Sequence, residues 1–395
     1  MTDWVRQFSR DKLRVPVILA AGSLTTMAGG AIAPVLPDLM QELDIDLAWG
    51  GTLASFHCLT LALCSPLLGL LADKIGPSRV LFPAMTFYGI FGVVGAWMPN
   101  FWSLLLVRGL LGIACGGLAA SCLGVLGRLY EGEERTRMLG FATAALTLTG
   151  IVYPLLGGLV GNTYWQYAFY LNGIAFPLAL LGLYAFDSSP SFVSKSSPSQ
   201  GLGGKLTREL SRLVTARLLL TMGLSSIAMY AVVIYAPIYL DQALGLTPKL
   251  NGMVLASRAI GAALISAFGA KPLAKMIGLN QSTALGFGIM AATLAPIPWI
   301  TELWGVLVAA AIFGLGFGIV LPNLYNALAN LSPFELRASI LAVGTGVSFL
   351  GQFASPVLLG IVLNIWDLAT VFYAASILTI LAGLLLFAPL PQPKS

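Results

Sequence analysis

Gly69-Leu-Leu-Ala-Asp73-Lys74-Ile-Gly76-Pro77-Ser78-Arg79 is a short charged turn between two long apolar runs, 49–72 and 80–98. A polar turn of a few residues between two such runs forces the chain to reverse. Runs of about 20 apolar residues are long enough, at about 1.5 Å per residue, to cross roughly 30 Å of hydrocarbon. Working outward in both directions, the same pattern recurs. The apolar stretches are 15–37, 49–72, 80–98, 102–124, 139–160, 166–186, 214–240, 250–270, 281–299, 304–329, 338–363 and 367–388. They predict an all-α polytopic membrane protein with twelve transmembrane helices in two pseudo-symmetric six-helix bundles. The alternating polarity of a membrane β-barrel, in strands of about 10 residues, is absent.

Composition requires the same class. Of 395 residues, 57% are hydrophobic and 9% are charged, against about 25% charged in a soluble chain. The mean hydropathy is +0.88. The charged opening Met1–Arg14 leads into an apolar run too long for a signal-peptide core, so 15–37 is read as a retained first span. Cys58, Cys64, Cys115 and Cys122 all lie in apolar runs, which argues for packing rather than disulfides or metal.

Charge sets the orientation. With the N-terminus in the cytoplasm, every Lys and Arg except Lys249, Arg108 and Arg258 falls on the inner side. That asymmetry is the positive-inside pattern. It predicts an integral membrane protein with both termini cytoplasmic. The net charge of +5 then reflects topology and anionic inner lipid, not nucleic acid. Residues 187–213 are rich in Ser, Pro and Gly, and form a cytoplasmic linker between an N-terminal bundle, 1–186, and a C-terminal bundle, 214–395. From Lys205 to Arg217 the linker turns basic and amphipathic, as a surface helix or a solvated linker end would. Trp49, Trp102, Trp165, Trp299, Trp304 and Trp366 cluster near span ends and read as interface anchors.

This organisation resembles the major facilitator superfamily, and Gly69, Asp73, Gly76 and Arg79 match its loop 2–3 signature, with Pro77 and Ser78 replacing the usual basic pair. The resemblance implies a bacterial inner membrane and a gating role for Asp73 and Arg79. Span five carries Gly140, Pro154, Gly157 and Gly158, similar to the antiporter signature of the drug and metabolite exporter branch; Thr149 and Tyr153 stand where glycines are usual. Arg108-Gly109-Leu-Leu-Gly112 is similar to the family's arginine-bearing fourth-span motif. In the second half, Lys271-Pro-Leu-Ala-Lys275-Met-Ile-Gly278 echoes the loop but places Lys275 where Asp73 stands. Pro333-Phe-Glu335-Leu-Arg337 likewise echoes Glu133-Glu-Arg135.

Ionisable residues inside spans are costly and mark candidate sites. His57 lies 19 residues before Gly76, and Arg258 lies 20 before Gly278. They therefore sit at similar depths of spans two and eight. No Asp or Glu falls at the centre of a predicted span, which disfavours a strongly cationic substrate. His57 could exchange a proton, and Arg108 and Arg258 could hold an anion. A packed polar residue is the equally weighted reading of His57. Asn172, Tyr230, Tyr235, Asn323, Asn326 and Gln352 are further candidate contacts. The expected activity is alternating-access, proton-coupled export of a small anionic or zwitterionic amphipathic organic compound by a functional monomer. An uncoupled facilitator, an uptake symporter and a lipid flippase stay open, with a membrane enzyme or sensor behind them. No catalytic pair, cofactor motif or phosphate-binding loop is found.

Overall fold

The computed structural model describes residues 2–130, 132–186, 202–333 and 336–386. Most of the expected linker, 187–201, lies outside the described residues, as do Glu335, Lys195, Lys394 and the side chains of Arg128 and Arg135. The chain is helical along its described length. In order, the helices are α1 Thr2–Gly30, α2 Leu36–Glu42, α3 Leu47–Ile75, α4 Pro77–Val94, α5 Phe101–Leu129, α6 Gly132–Gly161, α7 Gln166–Tyr170 and α8 Ala175–Phe186. Then come α9 Leu202–Leu210, α10 Leu213–Leu244, α11 Pro248–Leu264, α12 Ala270–Ile277, α13 Leu279–Leu294, α14 Leu303–Leu331, α15 Arg337–Ile365 and α16 Leu368–Leu384.

The expectation of twelve spans in two six-helix bundles is corrected here. Among the described residues, ten helical stretches are long and apolar enough to cross a membrane. Six precede the linker: Leu13–Glu42, Leu47–Ile75, Pro77–Trp97, Phe101–Leu126, Arg137–Gly161 and Gln166–Phe186. Four follow it: Leu213–Leu244, Pro248–Ile277, Leu303–Leu331 and Arg337–Ile365. The stretches 281–299 and 367–388 fall short. α13 has 16 residues, about 24 Å of rise, and ends at Leu294. Pro296 and Pro298 follow, and the chain there makes only a 3₁₀ turn, Ile297–Trp299, because proline supplies no amide to continue the ladder. α16 has 17 residues and starts where the Asp367 carboxylate accepts the Thr370 amide at 2.8 Å. The Thr370 hydroxyl and that amide hold the Asp367 carboxyl below its ordinary range.

The chain divides into two compact units, Met1–Ile45 with Leu53–Lys195, and Asp46–Thr52 with Ser196–Ser395. In the first, α1 packs on α5, α6 and α8, and α4 packs on α5 and α8. In the second, α14 packs on α11 and α13, and α10 packs on α15 and α16. Large apolar side chains stay exposed on the outside, among them Leu67, Leu106, Leu180 and Phe268. Such a surface is stable only against lipid. Five of the six tryptophans expected at the interface are exposed, but Trp165 is buried and donates to Glu42 at 2.8 Å.

Gly76 has φ +100° and Gly278 has φ +89°. Each ends one helix and starts the next in a conformation that side chains strain. Pro77 then opens α4 at the first position, where its missing amide costs nothing. Close helix contact is set elsewhere. A β-carbon on Gly314 would overlap the Arg258 carbonyl, and one on Gly261 would overlap the Ala311 carbonyl. On Gly318 it would fall 2.5 Å from the Ala262 carbonyl. α11 and α14 thus touch backbone to backbone, the contact that small residues permit in a membrane. Immediately beyond, α11 loosens into a single π turn, Ile265–Gly269, where the Ser266 hydroxyl donates to the Gly318 carbonyl at 2.8 Å.

Substituting Gly314→Ala is expected to lower the thermal midpoint of the detergent-solubilised protein, with an overpacking cost of about 1–3 kcal/mol. Gly140→Ala, whose β-carbon meets nothing within 4 Å, should leave it unchanged or slightly raised.

Candidate functional site

Arg108 on α5 is 2% exposed in the core of the first unit. A guanidinium has five donors and no acceptor, so burial demands a cage of acceptors. The cage is made of backbone. Nη1 donates to the Ala28 carbonyl at 2.6 Å, Nη2 to the Ala54 carbonyl at 2.8 Å, and Nε to the Leu53 carbonyl at 3.4 Å. The cage therefore ties α5 to α1 and α3. Nη2 also meets His57 Nδ1 at 2.9 Å. Because Arg108 can only donate, this contact requires Nδ1 to accept, as it does in the neutral imidazole with its proton on Nε2. That nitrogen faces the Cys58 sulfur at 3.5 Å. Tyr88 and Cys115 lie within electrostatic reach of the guanidinium.

The approach that makes this contact depends on Gly112. A β-carbon there would overlap the His57 carbonyl and the Thr60 hydroxyl. Gly109 is similarly tight, 2.8 Å from the Phe56 ring. The glycines beside Arg108 thus let α5 sit close enough to α3 for a side chain to bond its carbonyls.

A second polar seam joins α1 to α6. Ser23 bonds Tyr153 at 2.9 Å and Thr26 bonds Thr149 at 3.1 Å, hydroxyl to hydroxyl. Tyr153 and Thr149 are the two departures from the exporter-like glycine pattern, and each finds a hydroxyl on α1. Pro154 is buried against Gly30, and Gly157 is so close to Ala31 that a β-carbon would overlap its carbonyl. Gly158 is buried, whereas Gly140 is exposed with open space around it. Ser23 and Thr26 were absent from the sequence candidates; two hydroxyls three residues apart on one face of an apolar run were the available signal.

In the second unit, Arg258 is half-buried on α11, and its Nε is buried without a hydrogen-bond partner. The Asn323 amide donates to the Ser282 hydroxyl at 2.9 Å. Tyr235 is fully buried with its hydroxyl 3.4 Å from the Pro356 carbonyl. Tyr230 is buried, Gln352 half-buried, and Asn326 exposed, accepting from Asn330 at 3.3 Å. Asn172 sits in the first unit, where Tyr88 donates to its Oδ1 at 2.7 Å and its Nδ2 donates to the Phe169 carbonyl at 2.9 Å. Asp73 and Arg79 are exposed at the α3–α4 turn, and Gly69 leaves an ordinary 3.7 Å to Ala120. Among the described residues, no three His, Cys, Asp or Glu side chains gather to hold a metal ion.

The sequence model described as the Major Facilitator Superfamily matches residues 18–356, with a further match over 218–395. The chain belongs to the Major Facilitator Superfamily. It is a secondary transporter of that type, moving a small organic compound, and not an enzyme. It is 24% identical to the tetracycline resistance protein, class C, of Escherichia coli over 93% of this chain and 95% of that protein. It is 21% identical to the quinolone resistance protein NorA of Staphylococcus aureus (strain COL) over 88% of this chain and 89% of that one. The fold is shared with the crystal structure of a D-xylose–proton symporter, TM-score 0.77 at 16% identity, covering 96% of this chain and 98% of that one. It is also shared with a bacterial homologue of the human lysosomal transporter Spinster, in an inward-facing and unoccupied conformation. There the TM-score is 0.74 at 15% identity, covering 96% and 95%.

His57 is the chain's single histidine, so a nitrogen NMR spectrum of histidine-labelled protein carries one ring. It should show Nε2 protonated and Nδ1 bare at neutral pH. In Arg108→Met this preference should vanish, and the carbonyls left unpaired should cost about 1–3 kcal/mol each.

Proposed function

We propose that this transporter exports a small anionic or zwitterionic amphipathic organic compound in exchange for protons, by alternating access across a bacterial inner membrane. Both termini would lie in the cytoplasm, with residues 1–186 and 214–395 as the moving parts and 187–213 joining them. The observation that carries the charge assignment is Arg258: a half-buried guanidinium whose buried Nε has no partner. Arginine does not give up its proton at physiological pH, so an anionic group of the substrate is its natural complement. Export is favoured by the names of the relatives, two resistance proteins and a bacillibactin exporter of Bacillus subtilis (strain 168), the last 27% identical over 35% of this chain.

Coupling is assigned to the His57–Arg108 pair. Nδ1 of His57 can take a proton only when Arg108 withdraws, because both cannot donate across 2.9 Å. A proton on His57 would therefore cost the cage one contact and place two cations side by side. Protonation would favour one gate state, and the caged arrangement the other. Asp73 and Arg79, with the turn at Gly76, serve as the gate. Gly140, Pro154, Gly157 and Gly158 supply the bending of α6. Asn323, Asn326, Tyr230, Tyr235, Asn172 and Gln352 are kept as candidates for orienting the substrate or its surroundings.

The test is transport in proteoliposomes with an imposed pH gradient and a panel of anionic, zwitterionic and cationic amphipaths. Anions or zwitterions should move against their gradient in exchange for protons. Arg258→Gln should reduce that flux about ten-fold or more, as loss of a charge-assisted hydrogen bond implies. His57→Gln should retain downhill exchange but lose its response to the pH gradient. Preference for cations would overturn the charge assignment. Flux that only equilibrates would mean a facilitator, and flux that follows the proton inward would mean a symporter.

A further inference from the structure

The short helix α9 carries Lys205 and Arg208 three residues apart on one face, and Arg212 follows just beyond its end at Leu210. They border a cavity of about 560 Å³ completed by Glu209, Pro333 and Leu336. Among the described residues, its lining holds three cations and one carboxylate. The carboxylate is already committed, since Glu209 pairs with Arg212 at 2.9 Å. Among the described residues, neither Lys205 nor Arg208 has an ionic partner. Among the described residues, the cavity therefore carries a net positive charge.

Its height is fixed by the chain. α10 begins at Leu213, immediately after Arg212, and α15 begins at Arg337, immediately after Leu336. The cavity thus lies where two membrane-spanning helices start, which is the depth of lipid headgroups. Neither start is capped by a side chain. Their first amides and the positive ends of both helices remain available to an anion. Below this level the surface turns apolar. Leu213 is 83% exposed and Leu220 53% exposed on α10, a face suited to acyl chains.

We infer that this cavity is a binding site for the phosphate of an anionic phospholipid, held by Lys205 and Arg208, with the acyl chains along α10. Phosphate geometry suits an arginine fork with a lysine beside it. The inference is independent of the transported compound and of the direction of transport.

The experiment measures thermal stabilisation of the full chain, purified in neutral detergent, against added phosphatidylglycerol, phosphatidylcholine or inorganic phosphate. Phosphatidylglycerol should stabilise the wild type, and the other two should not. Lys205→Gln with Arg208→Gln should raise the half-saturating phosphatidylglycerol concentration about 25-fold, at about five-fold per cation. A control pair, Lys271→Gln with Lys275→Gln, removes the same charge from α12 and should leave it unchanged. The exchanged pair Lys205→Arg with Arg208→Lys should retain most of the response. The lipid-free midpoint of each variant reports folding separately. Equal shifts in the two glutamine pairs would overturn the site in favour of diffuse surface charge. Equal stabilisation by phosphatidylcholine would overturn the charge requirement, and by inorganic phosphate the lipid source.

Discussion

A guanidinium surrounded by hydrocarbon has to find acceptors or leave, and in this chain Arg108 finds them in the backbone. Three main-chain carbonyls and one imidazole nitrogen take its protons. Carbonyls in the middle of a helix are already bonded once, so their second lone pairs are being used. Reaching them requires backbone contact closer than ordinary side chains allow. Gly109 and Gly112, on the same helix as Arg108, provide it. The arginine and its neighbouring glycines therefore form one device: the glycines bring α5 against α3, and the arginine locks the approach. A positive charge held by carbonyls stays positive, because a carbonyl accepts a hydrogen bond without taking the charge. The local field it leaves acts on His57, whose Nδ1 it occupies.

The second unit reaches close packing by a different balance. Gly261, Gly314 and Gly318 seat α11 and α14 against each other's carbonyls, and the arginine there is not the lock. The Arg258 backbone carbonyl takes the contact with Gly314 while its Nε goes unsatisfied. An unmet buried donor costs free energy unless something supplies the acceptor. The π turn at Ile265–Gly269 lies two turns further along the same helix. Such turns insert an extra residue into the ladder and are frequent at working sites. A tight crossing next to a loosened turn gives α11 one fixed point and one compliant point.

Much of this was legible in the residues. Apolar runs located the long helices, and charge located the turns. Gly76 and Gly278 were each followed by a new helix, and both carry the positive φ that only glycine takes cheaply. Composition misled where a run stayed apolar after the helix had stopped. Pro296 and Pro298 are apolar on any scale, so 281–299 reads as a span, but proline withholds the amide a helix needs. The stretch 367–388 also reads as a span, although its helix runs only from Leu368 to Leu384 and 387–388 lie outside the described residues. The site was legible as a set of residue types and not as a set of pairs. Arg108 and His57 were each visible as costly residues, but 51 positions separate them, and periodicity carries no information across two helices. Pairing His57 with Arg258 by depth was the available inference; the contact His57 makes within its own unit is with Arg108.

Thr149 and Tyr153 extend the point. Read against a pattern of glycines, they are losses, because each replaces a residue that would let helices slide. In place they are gains, because each bonds a hydroxyl on α1. A hydroxyl pair in hydrocarbon is worth modestly more than its absence, on the order of 1 kcal/mol, so two pairs bias the seam without fixing it. Gly157 still keeps the helices in contact at the Ala31 carbonyl. The seam between α1 and α6 therefore combines a close glycine contact with two bonds weak enough to break. Carbonyl–arginine bonds like those of Arg108 would hold the seam more firmly, and bare glycines would leave its register unset.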